Sequence, residues 1–274
     1  MTVWEGRLKP YLEQRKIDVA AAMKRRSSGT LGGMIGEKSL TRGFMACLAA
    51  NAATGGTVGL VAEFKKAAPV AGPINPRADL EDFIYDITEG GACCLSVAVD
   101  RQCYRRGSAD LVMATQATPM PLLARDLVVD PYQVLEARLN GADAIVVSPS
   151  ILGERLAEVL AQSANIALDV VVEVRSAEEV DQALRAGAAM VCVNNRDLET
   201  WALDLNQALS LLPLLASERV LAMASGGIAD KAYVDQLAAS GAKAVIVGEA
   251  LMRVDDAEVV ACDLLGKPRP VYED

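Results

Sequence analysis

The chain has 274 residues, 52% of them hydrophobic, and a formal net charge of −9. That is enough apolar material for one large core, and α/β barrels of this length form one domain. The acidic balance excludes a broad phosphate-backbone footprint, so no nucleic-acid partner is expected, although a local pocket can still hold a small anion.

Histidine is absent, which rules out His triads and His-ligated metals. Acid–base chemistry must fall to Glu, Asp, Lys, Tyr or Cys. The cysteines at 47, 93, 94, 103, 192 and 262 show no metal-type spacing. Cys93, Cys94 and Cys192 stand in apolar runs, where buried reduced thiols are expected. No basic-then-apolar leader opens the chain and no apolar stretch reaches about 18 residues. The expectation is a soluble, cytoplasmic protein without a membrane partner, monomeric or homodimeric.

In chain order, residues 1–57 read as an N-terminal helical extension. LKPYLEQRKIDVAAAMKRR predicts a helix, RSSGTLGGMIGE a flexible loop, and LTRGFMACLAANA a second helix. Such an extension either closes the bottom of a barrel or wraps to its catalytic face. From residue 58 to 274, short apolar runs alternate with helix-period segments. The strand candidates are 58–64, 92–97, 121–123, 144–147, 170–174, 190–193, 220–224 and 244–247. They are continuous rather than alternating in polarity, as parallel strands covered on both faces are. Between them lie segments such as DLEDFIYDITEGG and SAEEVDQALRAGA, opened by Asp or Ser and stopped at Gly. NGADAIVV, RAGAAMVCV and ASGAKAVIV repeat one device: helix end, Gly, Ala, strand. Eight such units predict an α/β fold of the (β/α)8 TIM-barrel type with an N-terminal helical extension. A doubly wound open sheet lacks its expected glycine fingerprint here.

A barrel of this kind does its chemistry at the C-terminal ends of its strands. Glu63 and Lys65 end the first strand and, two apart, point to one side; a structural ion pair is the alternative. Arg125 and Asp126 follow the third strand. Glu173 lies among valines in the fifth, where an unpaired carboxylate costs several kcal/mol. Asn194 and Arg196 follow the sixth. SGGIAD (225–230) and GEALM (248–252) follow the seventh and eighth, and glycines there let backbone N–H groups approach a phosphate. The residues thus predict a barrel that binds a small phosphorylated molecule and performs carbonyl or enol chemistry with one Lys and two Glu.

The segments VAEFKKAAPVAGPI, RRGSADL, PLLARD, YQVLEARLNGADAI, VVEV, VNNRDLETWALDL, SGGI and VGEALM, with TRGF (41–44), resemble the indole-3-glycerol phosphate synthase family over roughly residues 8–265. The resemblance implies a lyase that closes a pyrrole ring on 1-(2-carboxyphenylamino)-1-deoxyribulose 5-phosphate, losing CO2 and water without a metal or organic cofactor. It implies catalytic roles for Glu63, Lys65 and Glu173, with Arg125 at the position of a further catalytic group. Asn194 and Arg196 would contact the substrate and Gly227 and Gly248 its phosphate; Pro69 and Ser225 are further substrate-contact candidates, Gly226 and Glu249 further phosphate candidates, and Arg105 either pairs with an extra negative group on the substrate or points to solvent.

Four departures cluster at one mouth. Ala68-Pro69-Val70 replaces Ser-Pro-Ser. Arg125-Asp126-Leu127 replaces Lys-Asp-Phe, and that Lys is the family's acid for ring closure. Ala224-Ser225-Gly226-Gly227 replaces Ser-Glu-Ser-Gly. Arg105 and Arg106 precede Gly107 where the family has Phe. Arg does not readily release a proton. The expectation is therefore a specialised paralogue, as in secondary metabolism, with altered substrate or step. The alternatives are the ordinary tryptophan-pathway reaction and a catalytically silent ligand-binding barrel.

Overall fold

The structure, a computed structural model, describes residues 6–53, 58–104, 107–216 and 219–269. Eight parallel strands close into a barrel: β1 (Gly59–Phe64), β2 (Cys94–Ala98), β3 (Leu122–Arg125), β4 (Ala144–Val147), β5 (Asp169–Val174), β6 (Met190–Asn194), β7 (Leu221–Ser225) and β8 (Ala244–Val247). Each pairs with the next in the chain, and β8 closes on β1 through Val61 opposite Ile246. The eight apolar runs expected from the sequence are these strands, with ends shifted by at most two residues. The repeated Gly-Ala device works as the pattern suggests. Gly141, Gly187 and Gly241 all have positive φ, a conformation that turns the chain from helix into strand and that a Cβ disfavours.

Alternate residues of each strand point inward. Val61, Leu123, Val171 and Met223 of the odd strands form one apolar cluster with Cys94, Val146, Cys192 and Ile246 of the even strands. Outward residues such as Leu60, Leu122, Val172 and Ala224 join the larger cluster under the surrounding helices.

The extension forms α1 (Lys9–Arg25), α2 (Ser28–Ile35) and α3 (Phe44–Ala53). RSSGTLGGMIGE, expected as a flexible loop, is largely α2. Its glycines lower helix propensity, but Ser27 caps it by accepting from Thr30 N. Leu31 and Ile35, one turn apart, are buried against Tyr132 and Leu135. Tertiary burial outweighs the local penalty.

Of the two placements open for the extension, both occur. At the bottom, α3 buries Phe44 and Leu48 completely in the inner cluster. Fully burying such side chains contributes roughly 2–3 kcal/mol each. At the top, Arg15 of α1 pairs with Asp126 at 2.5 Å and Asp100 at 3.6 Å, and Leu8 reaches the central cavity.

All six cysteines are free thiols. Cys94 and Cys192 are buried as expected, but Cys93 is only half-buried; it precedes β2, at the less covered bottom edge. No helix among the described residues is long and apolar enough to cross a membrane.

Candidate active site

Each odd strand places a polar residue two positions beyond its inward apolar residue. Val61 is followed by Glu63, Leu123 by Arg125, Val171 by Glu173 and Met223 by Ser225. The strand period of two therefore puts all four on one inner layer at the C-terminal mouth. One rung higher on the same faces stand Lys65 and Arg175. Neighbouring Lys66 turns outward and lies 5.7 Å from the Phe64 ring centroid, as alternation requires.

These side chains form a continuous ionic chain. Lys65 Nζ is 2.5 Å from Glu63 Oε2. Arg125 Nε is 3.4 Å from Glu63 Oε1, and its Nη1 is 2.5 Å from Glu173 Oε2. Arg175 Nη2 donates to Glu173 Oε1. The signs alternate from Lys65 to Arg175, so two carboxylates are held by three cations. Glu63 and Glu173 are each only 4% exposed. Burial alone would push both carboxyls up. Lys65 and Arg125 outweigh it at Glu63, and Arg125 with Arg175 at Glu173, so both sit below the usual carboxylate range. Arg125 is half-buried, and although burial opposes its charge, Glu173, Tyr104 and Glu63 hold its guanidinium firmly charged. Burial also raises the Tyr104 phenol.

The mouth encloses a cavity of about 420 Å³, in the range of small-molecule sites. It brings together Glu63, Lys65, Pro69, Arg125 and Glu173 with Asn194, Arg196 and Ser225, and with Gly226, Gly227, Gly248 and Glu249. Arg105, expected at the same mouth, lies outside the described residues. The loop after β1 folds back as a short antiparallel ribbon, Ala67–Ala68 against Gly72–Pro73, which presents Pro69 and Val70 to the cavity.

Past β6 the alternation separates two asparagines. Asn194 faces the cavity and its Oδ1 accepts from Arg196 N at 2.9 Å. Asn195 turns away: its Nδ2 donates to Gly226 O and Tyr233 Oη, both at 2.9 Å. Arg196 Nη1 donates to Trp201 O at 3.0 Å. Ser225 Oγ is buried and makes no hydrogen bond among the described residues. Gly226 and Gly227 both have positive φ, giving the tight turn that exposes backbone N–H groups to an anion. Gly248 is required by close approach, since a Cβ there would lie 2.7 Å from Glu63 Oε2 and 2.9 Å from Lys65 Cε. The Glu249 carboxylate is engaged by Arg253 at 2.6 Å, leaving the backbone as the part of Glu249 suited to an anion.

The far wall is apolar. Leu8, Cys103, Leu127, Ile151 and Leu198 line it and pack with Tyr11 and Tyr104. Trp201, in the left-handed region at φ 63°, packs against Tyr11 in a tilted pair with centroids 5.9 Å apart and lies under the Arg7 guanidinium. The extension thus shapes the pocket. Sequence reasoning missed Arg175, Tyr104, Leu8 and Trp201 as site residues. Arg175 was within reach, because it stands two beyond Glu173 as Lys65 stands two beyond Glu63. Leu8 and Trp201 carry no such signal.

Comparison with known proteins identifies what this chain is similar to. A family model described as indole-3-glycerol phosphate synthase matches residues 8–264. The indole-3-glycerol phosphate synthase of Laribacter hongkongensis is 37% identical over 251 residues, covering 91% of this chain and 95% of that protein. That of Hyphomonas neptunium is 36% identical over 243 residues, covering 88% and 91%. Among solved structures, a 3-hexulose-6-phosphate synthase superposes with a TM-score of 0.61 at 18% identity, covering 76% of this chain and 99% of its own. The tryptophan synthase α subunit of Legionella pneumophila gives 0.59 at 16% identity, covering 83% and 98%. At such identities these two speak for the barrel fold alone. The match to the family model over nearly the whole chain, with relatives above 30% identity, places this protein in the indole-3-glycerol phosphate synthase family.

Proposed function

We propose that the protein is a lyase that converts 1-(2-carboxyphenylamino)-1-deoxyribulose 5-phosphate into indole-3-glycerol phosphate, CO2 and water. The observation that carries this is the ionic chain from Lys65 to Arg175 beside the Gly226–Gly227 turn and Gly248. The phosphate is held by backbone N–H groups at those glycines, and the carboxylate-bearing ring faces Arg196, Asn194 and the apolar wall. Lys65 Nζ gives a proton to the ketone oxygen as the ring carbon bonds to the carbonyl carbon. The ring carboxylate leaves as CO2, which restores aromaticity. Lys65, recharged from solvent after its first donation, gives the proton with which the new hydroxyl leaves as water, while the adjacent CH2 gives its proton to Glu173, which the guanidiniums keep ionised and so able to accept. Arg125 stabilises charge and does not donate; Lys65 is the acid.

A second reading is favoured by one observation. Arg125 is pinned between Glu63 and Glu173 where the family has a mobile ammonium, and Ser225 leaves a neutral position in the layer. A related amino-deoxyketose phosphate would then be the substrate of a specialised paralogue. Indole fluorescence after addition of the carboxyphenylamino substrate separates the readings. Turnover at ordinary rates supports the first. No turnover, with a phosphate-dependent rise in Tm, supports the second. Neither response overturns both and leaves a silent barrel.

A further inference from the structure

Each of the three guanidinium nitrogens of Arg175, at the edge of the cavity, donates to protein. Its Nη2 donates to Glu173 Oε1, its Nη1 to Ser148 Oγ at 3.3 Å, and its Nε to Arg196 O at 3.1 Å. Nη1 also lies 4.0 Å from Glu179. The backbone is fastened as well: Arg175 N donates to Glu179 Oε2 at 2.7 Å, and Arg175 O accepts from Gln207 Nε2. The side chain is 9% exposed. One guanidinium therefore joins the end of β4, the carboxylate of β5 and the loop after β6. A planar fork with fixed N–H directions suits this, and a flexible ammonium does not.

Glu173 receives a different guanidinium on each oxygen, Arg125 on one and Arg175 on the other. Arg125 is shared with Glu63, whereas among the described residues Arg175 touches neither Glu63 nor Lys65 in an ion pair. The Glu173 orientation thus has a partner independent of the Lys65–Glu63 end of the chain. Through Nε the same group fixes the carbonyl of Arg196, whose side chain reaches into the cavity.

We infer that Arg175 is a positioning residue for the proposed ring closure, holding Glu173 as an oriented carboxylate and setting, through the backbone of Arg196, the cation that faces the substrate's carboxylate. This deepens the proposed function and rests on it for the chemistry, but not for the geometry. Arg175 acts through Glu173 and Arg196 because each of its guanidinium nitrogens donates to a protein acceptor.

The test uses the full chain labelled with 13C at glutamate Cδ, with the Glu173 signal assigned by its loss in Glu173→Gln. In the wild type the signal stays that of a carboxylate from pH 8 to about 5. In Arg175→Gln its titration midpoint rises by about one unit or more, the size of shift a lost charge partner produces. The acidic limb of kcat/KM rises with it, and KM for the carboxyphenylamino substrate increases. Arg175→Lys restores part of the titration shift but not KM, since an ammonium cannot reach both acceptors. Glu179→Gln, which contacts Arg175 but not Glu173, leaves the midpoint unchanged. A Glu173 midpoint and an acidic limb unmoved in both Arg175 variants, with only a lowered Tm, overturn the inference. If Arg175→Gln does not fold, Arg175→Lys carries the titration, and an unmoved Glu173 midpoint there is the refuting result. Absence of turnover in the wild type sinks the proposed reaction while the Glu173 titration still decides the role of Arg175.

Discussion

The barrel buries carboxylates at both ends and uses them differently. At the bottom, Asp143 is 2% exposed and accepts from Leu122 N at 2.7 Å, Arg42 N at 2.8 Å and Arg42 Nε at 2.8 Å. Asp169 accepts from Met45 N at 2.8 Å. Two of these donors are main-chain groups of the extension, so the carboxylates tie it to the strand ends. At the mouth, Glu63 and Glu173 are met by side-chain cations that also face a cavity. A buried carboxylate is therefore no signal of a site by itself. Backbone partners mark structure, and charged side-chain partners on an open volume mark chemistry.

The sharpest test of that contrast is the loss of a proton-transfer group. Lys65→Ala and Glu173→Gln each should lower kcat by at least about 100-fold, in steady-state kinetics of the folded protein; a wild-type rate in either removes its assigned role. Next comes Gly248→Ala, whose Cβ would displace Lys65 and Glu63. A misplaced catalytic group costs up to about 100-fold, so kcat should fall by tens of fold, and an unchanged rate would show that the 2.5 Å Lys65–Glu63 pair is not needed. Asp143→Ala moves the other quantity. Leaving Arg42 and two backbone N–H groups without their acceptor costs about 3 kcal/mol or more, roughly 6–12 °C in Tm, while the folded fraction keeps its kcat.

The smallest expected effect concerns pH. Glu63 and Glu173 have folded pKa values below the usual range, so their contribution to stability is complete above about pH 4.3 and is lost as pH falls through the depressed values. Asp169 is opposite. Burial raises its pKa despite Met45 N, with Asp143 adding to the rise, so its contribution is full at low pH and declines as pH rises through the raised value. Asp169→Asn keeps an acceptor and should change stability at pH 7 by less than about 1 kcal/mol while removing that decline from the pH–Tm profile. A steeper decline in Asp169→Asn would contradict the assignment.

Much of this is legible in the sequence. Continuous apolar runs spaced by capped helical segments dictate a barrel, and the period of two placed Glu63, Lys65, Arg125 and Glu173 at its mouth. The same rule, applied once more, reaches Arg175. Other features were not legible. Helix α2 was hidden because its glycines argue against a helix until Leu31 and Ile35 find Tyr132 and Leu135. Leu8 and Trp201 meet the cavity only because α1 lies across the rim, nearly two hundred residues from its partner loop. Cys93 read as buried because an apolar run does not reveal where a strand's covered length begins.

By itself the sequence determined the strands, their inward faces and the chemical types at the mouth, because these follow from local periodicity and cap chemistry. Only the tertiary structure decided which cation meets which carboxylate, and that the extension covers both ends of the barrel. The ion pairs join residues up to 111 positions apart and the Tyr11–Trp201 contact about 190, and barrel closure, not any local pattern, sets the distances between them.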